Sequence, residues 1–151
     1  MTVFRCDSMV RVLRKVWPAL ILVLLVHSHL LGAPADHTAS ELIGQWEGTS
    51  VCTDRVVAPA CHDEVVVYDF TAGASPDTVH WKADKIVDGK RQPMGEFDLT
   101  YDRDDACWKA EFKSSRAHFV WCVTATGSQL NGVGWGMPGK KVVRRIDAHR
   151  K

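Results

Sequence analysis

His62-Asp63-Glu64 is the densest group of acid–base side chains in this sequence, and a histidine beside two carboxylates has the chemistry to hold a metal ion or relay a proton. The three residues are consecutive, however. On a strand the middle one points away from its neighbours, so the set reads as a solvated turn end. Asp102, Asp104 and Asp105 begin like a calcium loop, but a glycine at its sixth position and a glutamate at its twelfth are missing. They read as a turn. His80 and His118 lie on separate segments, and no spacing matches a zinc site. The sequence has no nucleophile elbow, phosphate loop or dinucleotide fingerprint. The expectation is therefore a protein that is not an enzyme, with no catalytic residue, no metal and no cofactor.

The remaining reactive side chains are cysteines, and their meaning depends on the compartment. Arg11, Arg14 and Lys15 precede the apolar run from Val16 to Val26, and Ala33-Pro34-Ala35 follows with small residues. That pattern predicts a secretory signal peptide over residues 1–35, with the domain proper over 36–151. The expected location is secreted or periplasmic, with no stable membrane insertion after cleavage. Removing the leader takes Cys6 and leaves Cys52, Cys61, Cys107 and Cys122, an even set in an exported chain that predicts two disulfides. It also removes four basic residues and one acidic residue, leaving 15 against 17, a net charge of −2. A global nucleic-acid footprint is absent, so no nucleic-acid partner is expected.

The elements that position these residues are short alternating runs. They predict strands near 44–53, 62–71, 77–87, 92–102, 106–113, 117–126, 129–136 and 140–147, with one helical turn within Asp36 to Ile43. Every connection is short, which favours sequential antiparallel neighbours. The predicted fold is all-β, an up-and-down antiparallel eight-stranded barrel, with a β-sandwich as the alternative.

CWKAEFKSSRAHFVWC, residues 107–122, reads as one hairpin. A two-residue loop at Ser114-Ser115 places Cys107 opposite Cys122 and Trp108 opposite Trp121. Trp108, Ala110, Phe112, Phe119 and Trp121 then share an inward face. The cysteines fall on the outer, polar face as a cross-strand staple, beside His118 and Glu111 as an exposed polar pair. Cys52 and Cys61 flank a loop around Asp54 to Pro59 in the same way, which places Trp46 near Val67 and Gly48 opposite Val65.

Gly44-Gln45-Trp46, at the start of the first strand, resembles the G-x-W signature of lipocalins and related calycin barrels. In that family the tryptophan closes one end of the barrel under a basic residue from the last strand. The resemblance implies that part for Arg144 or Arg145. The longer pattern Trp46-Glu47-Gly48-Thr49-Ser50 with Cys52, then Cys61-His62-Asp63-Glu64 and Val66-Val67-Tyr68, resembles small exported bacterial proteins described as lipocalin-like. No assigned activity comes with that likeness.

Trp46, Trp81, Phe97, Trp108, Phe112, Phe119, Trp121 and Trp135 are the candidate ligand-binding residues, on faces that can point inward. A barrel of this size is either filled by side chains or holds one small ligand. Gly48, Gly95, Gly132, Gly134 and Gly136 either open space at a mouth or relieve crowding. The basic tail Lys140 to Lys151 reads as a solvated final strand, or as attraction to an anionic surface. The leading expectation is a binder of a small, mainly apolar, uncharged molecule. The rival is a periplasmic protein inhibitor or interaction module, with Asp36-His37-Thr38-Ala39-Ser40 as the candidate arm that enters a target protein. An open apolar cavity would favour the first, and a filled barrel with a protruding arm the second.

Overall fold

The computed structural model describes residues 38–115 and 117–151. The expected leader over 1–35, Asp36 and His37 of the arm, and Arg116 lie outside the described residues. One helical turn, α1 (Ala39–Leu42), leads into eight strands. These are β1 (Gly44–Cys52), β2 (Glu64–Ala72), β3 (Thr78–Val87), β4 (Lys90–Asp102), β5 (Cys107–Lys113), β6 (His118–Thr126), β7 (Gln129–Gly136) and β8 (Lys141–Arg150). They close in sequence order into one antiparallel barrel, β8 pairing back onto β1. The barrel expectation holds and the sandwich is excluded. Closure pairs the first strand with the last, while β4 and β5 pair only over Thr100–Asp102 and Cys107–Lys109.

Both disulfides join the expected partners, Cys52–Cys61 and Cys107–Cys122, with Cα atoms 6.0 and 5.6 Å apart. Each closes a short loop, a gain of about 2.5–3 kcal/mol in the chain-entropy account. Both hairpin registers differ from expectation, for different reasons. In the first, Trp46 faces Tyr68 and Gly48 faces Val66, one residue from the predicted pairing with Val67 and Val65. The observed register buries Val66, Tyr68 and Phe70 in the core and leaves Val65 exposed. A one-residue slip would have turned both rings of β2 to the outside.

In the second hairpin the backbone N–H of Ser114 donates to the carbonyl of Ala117 at 2.8 Å. Ser114 Oγ accepts the Ala117 N–H at 3.1 Å. Ser114 is thus a paired residue rather than a loop residue, and the register moves by two. Trp108 faces Val123, Ala110 faces Trp121, and Cys122 faces Lys109, so the staple runs diagonally. A shift of two preserves every face, which is why the inward assignment of Trp108, Ala110 and Trp121 survives. The staple is not on an exposed surface, however. Cys107 is fully buried and lies directly across from Asp102.

One end of the barrel is sealed by α1 and Trp46. Leu42 and Trp46 are fully buried, and Trp46 Nε1 donates to the Leu42 carbonyl at 2.8 Å. The Arg150 guanidinium lies 4.3 Å over the Trp46 ring and donates to the carbonyls of Ile43 at 2.7 Å and Glu41 at 2.6 Å. The clasp residue is therefore Arg150, not Arg144 or Arg145. β8 runs on to Arg150 rather than ending at residue 147, and Arg150 is the direct cross-strand partner of Trp46. Gly44 permits this approach. Its φ is +136°, and a Cβ there would lie 2.5 Å from the guanidinium. The tail is accordingly ordered, with Lys151 Nζ on Glu47 at 2.5 Å.

A cation–π contact with two carbonyl acceptors at a sealed end predicts that Arg150→Met lowers stability by about 1–2 kcal/mol. Arg145 is exposed, and its replacement by methionine should stay within about 0.5 kcal/mol of the parent. Urea midpoints of the two variants check this. Equal midpoints would remove the clasp as a stabilising feature.

Candidate functional site

In an up-and-down barrel, alternate connections share an end. The end opposite α1 therefore carries the β1–β2, β3–β4, β5–β6 and β7–β8 connections. A cavity of about 510 Å³ opens there. Its wall is aromatic. Trp81, Phe97, Phe119 and Trp121 line it with Tyr68, Ala83 and Met94. Trp81 is the centre of this wall: it stacks on Phe70 at 5.6 Å and meets Tyr68 and Trp121 edge-to-face at 5.0 and 5.9 Å. Such pairs hold the rings beyond what area burial provides.

The space for Trp121 comes from β7. A Cβ on Gly134 would sit 2.6 Å from the Trp121 ring, and one on Gly132 would sit 2.9 Å from Val123. The glycines therefore admit neighbouring side chains instead of opening an empty mouth.

The loop between β1 and β2 forms one side of the opening, through Val57, Ala58, Pro59, Ala60 and Cys61. It is a held segment. Asp54 Oδ1 accepts the N–H groups of Val56 and Val57 at 3.0 and 2.9 Å. Thr53 donates from its backbone N to the Val143 carbonyl at 2.9 Å, and the Cys52–Cys61 bond ties the two ends together. Val56 at the tip is 91% exposed.

Opposite the aromatic wall lies a polar corner. Arg144 donates through Nη1 to Glu64 Oε2 at 2.8 Å and Ser50 Oγ at 2.9 Å. Its Nη2 donates to the His62 carbonyl at 2.6 Å and lies 3.2 Å from the Cys61 sulfur. Burial pushes the Tyr68 hydroxyl up to about 12, against its hydrogen bond to Ser50 and the positive charge of Arg144. His62-Asp63-Glu64 does diverge: Asp63 accepts the Cys52 N–H at 2.8 Å while Glu64 turns inward to Arg144. The Cys52 N–H holds the Asp63 carboxyl below the usual range. Among the described residues no cluster of three or more His, Cys, Asp or Glu could hold a metal ion.

The eight candidate aromatics separate into groups. Trp81, Phe97, Phe119 and Trp121 come together around the cavity. Trp46 belongs to the sealed end, and Trp108 packs in the core against Tyr101 at 5.5 Å. Phe112 is 43% exposed beside its partner Phe119. Trp135 is on the outside, between Lys140 at 4.5 Å and Lys109 at 6.0 Å. The inward expectation for Trp135 fails because Gly134 and Gly136 take the inner positions of β7. Lys109 also pairs with Asp102 and Asp105, holding both carboxyls below their usual range, and Asp102 accepts the Asp105 N–H in the expected turn.

Sequence reasoning missed Ser50, Tyr68 and Met94 as cavity residues, and it named Glu64 only for acid–base chemistry and Arg144 only as a clasp. The signal for two of them, Glu64 and Tyr68, was present. Glu64, Val66, Tyr68 and Phe70 share one face, but Val65-Val66-Val67 breaks the alternation and the register read from the loop placed Tyr68 on the other face. Met94 reaches the cavity beside the irregularity where β3 and β4 shift register at Ala83/Asp84.

No family model and no curated protein matches the chain. Among solved structures it is similar to a siderocalin, Ex-FABP, described as functioning through dual ligand specificities. The identity is 14%, 73% of each chain is covered, and the TM-score is 0.46.

An unfolded tyrosine ionises near pH 10, whereas folded Tyr68 keeps its proton to about 12. Between those values the folded state binds more protons, so stability is full below pH 10 and is lost as pH rises towards 12. The complete loss is on the order of 2–3 kcal/mol. Urea unfolding from pH 8 to 11 should show a downward slope for the parent that is shallower in Tyr68→Phe. Parallel curves would place the Tyr68 hydroxyl in water.

Proposed function

We propose that this chain is a binding protein for one small, flat, mainly apolar and uncharged molecule, held in the barrel without chemical change. The observation that carries the reading is the cavity of about 510 Å³ walled by Trp81, Phe97, Phe119 and Trp121. That volume falls within the range of small-molecule sites, and the lining combines apolar area with a few convergent polar groups. Stacking rings favour a planar occupant. Neutrality follows from the lining. Among its described residues only Glu64 and Arg144 carry formal charge, and they neutralise each other at 2.8 Å. An ion brought into this space would lose hydration without gaining a free partner.

The inhibitor reading draws less support. The part of the arm among the described residues does not protrude as an extended segment, since Ala39 begins a helical turn and packs against the core. Export is part of the proposal and is supported by the two disulfides, which persist in oxidising compartments.

Native mass spectrometry of the protein purified from its host should show added mass from a non-covalent occupant. Apolar aromatic compounds should also change the intrinsic tryptophan fluorescence saturably, and Trp121→Leu should weaken their binding by about tenfold or more. No added mass together with no saturable response from the panel would abandon this reading. Normal binding by Trp121→Leu would move the site away from this cavity.

A further inference from the structure

The polar corner carries a sharper statement about which molecules are admitted. We propose that Glu64 is the residue that sets charge selectivity, making the cavity reject anions and accept neutral ligands with a hydrogen-bonding group. This rests on the binding function proposed above.

An arginine facing a small-molecule cavity would ordinarily recruit a carboxylate or another anion. Here both terminal nitrogens of Arg144 are engaged. Nη1 holds Glu64 Oε2 and Ser50 Oγ, and Nη2 holds the His62 carbonyl. An incoming anion gains the guanidinium only by displacing Glu64. That would strand a carboxylate whose side chain is 17% exposed, beside an arginine side chain that is 12% exposed. If the anion does not displace Glu64, it sits next to a like charge. Either outcome opposes binding.

The neighbouring charges do not reverse this balance. Lys85 Nζ is 3.8 Å from Glu64 Oε1, but it is not a lining residue and its side chain is solvent-accessible. Arg55 and Asp63 form their own exposed pair. Water screens both. Ser50 and Tyr68 bond to each other beside the ion pair, and that neutral pair has one hydroxyl hydrogen left to donate to a ligand carbonyl, amide or hydroxyl oxygen.

Replacing Glu64 by glutamine keeps an acceptor of the same shape for Arg144 and removes the negative charge. The variant should admit what the parent excludes. The reporter is the neutral dye N-phenyl-1-naphthylamine, whose emission rises in apolar surroundings. The competitors are 2-naphthamide and 2-naphthoate, of the same shape, one neutral and one anionic at pH 7.

In the parent, the amide should displace the dye at a concentration about tenfold lower than the carboxylate. In Glu64→Gln, naphthoate should improve about tenfold relative to the amide. Retained dye binding reports that the variant is folded. Equal competition by the two naphthalenes in the parent overturns the proposal whether or not the variant folds. A folded variant with unchanged preference does so as well. If the dye and both competitors fail to bind the parent, the binding function itself falls, and this inference with it.

Discussion

Closure of the barrel through the β1–β8 seam is the constraint on which the other features depend. Seven consecutive residues, Trp46 to Cys52, pair with Arg150 to Arg144 in one register. That register puts an arginine from β8 at each end of the seam. Arg150 lies on Trp46 and seals one end, while Arg144 lies opposite Cys52 and reaches Ser50 and Glu64 at the other. A slip of one residue would turn both guanidiniums outward and remove the floor and the polar corner together. The same pairing that completes the sheet therefore sets the two ends of the interior apart.

Between those ends the interior is filled unevenly. The sealed half is packed with Leu42, Trp46, Phe70, Leu99, Val123 and Leu130, all buried. Towards the opening, β7 contributes only glycines to the inner face from Gly132 onward, and Trp121 occupies the volume beside Gly134. The lining is thus aromatic where rings from β3, β4 and β6 converge on the interior, and polar where β8, β1 and β2 adjoin. The Cys52–Cys61 loop covers one side of the opening with small apolar residues, and Arg144 touches both its backbone and its sulfur. The loop, the seam and the polar corner are one connected set of contacts.

The outer face carries most of the charge, and it is largely paired. Arg91 bridges Asp69 and Asp84, His80 accompanies Glu96 and Asp98, and His118 meets Glu111 at 2.6 Å. Lys109 joins Asp102 and Asp105, while Lys140 lies over Trp135. Exposed pairs of this kind contribute little to stability individually. His80 and His118 face carboxylates on the adjoining strand, whereas Asp102 and Asp105 converge on Lys109.

The sequence by itself determined the number and order of strands, their boundaries to within a few residues, and the cysteine partners. These follow from period-two patterning and short turns, which are local properties of the chain. It did not determine the first hairpin's register, because a loop of eleven residues between β1 and β2 allows either parity. Burial of Tyr68 and Phe70 decided it. Nor did the sequence determine which way β7 faces. Val133 and Trp135 make one face bulky, whereas Leu130, Gly132, Gly134 and Gly136 make the other slender, and local hydrophobicity favours turning the bulky face inward. The barrel takes the opposite choice because Trp121 from β6 already occupies that part of the interior. Whether a ring of inward side chains leaves a cavity depends on the volumes contributed by all eight strands together, and only closure of the barrel brings those volumes into one space.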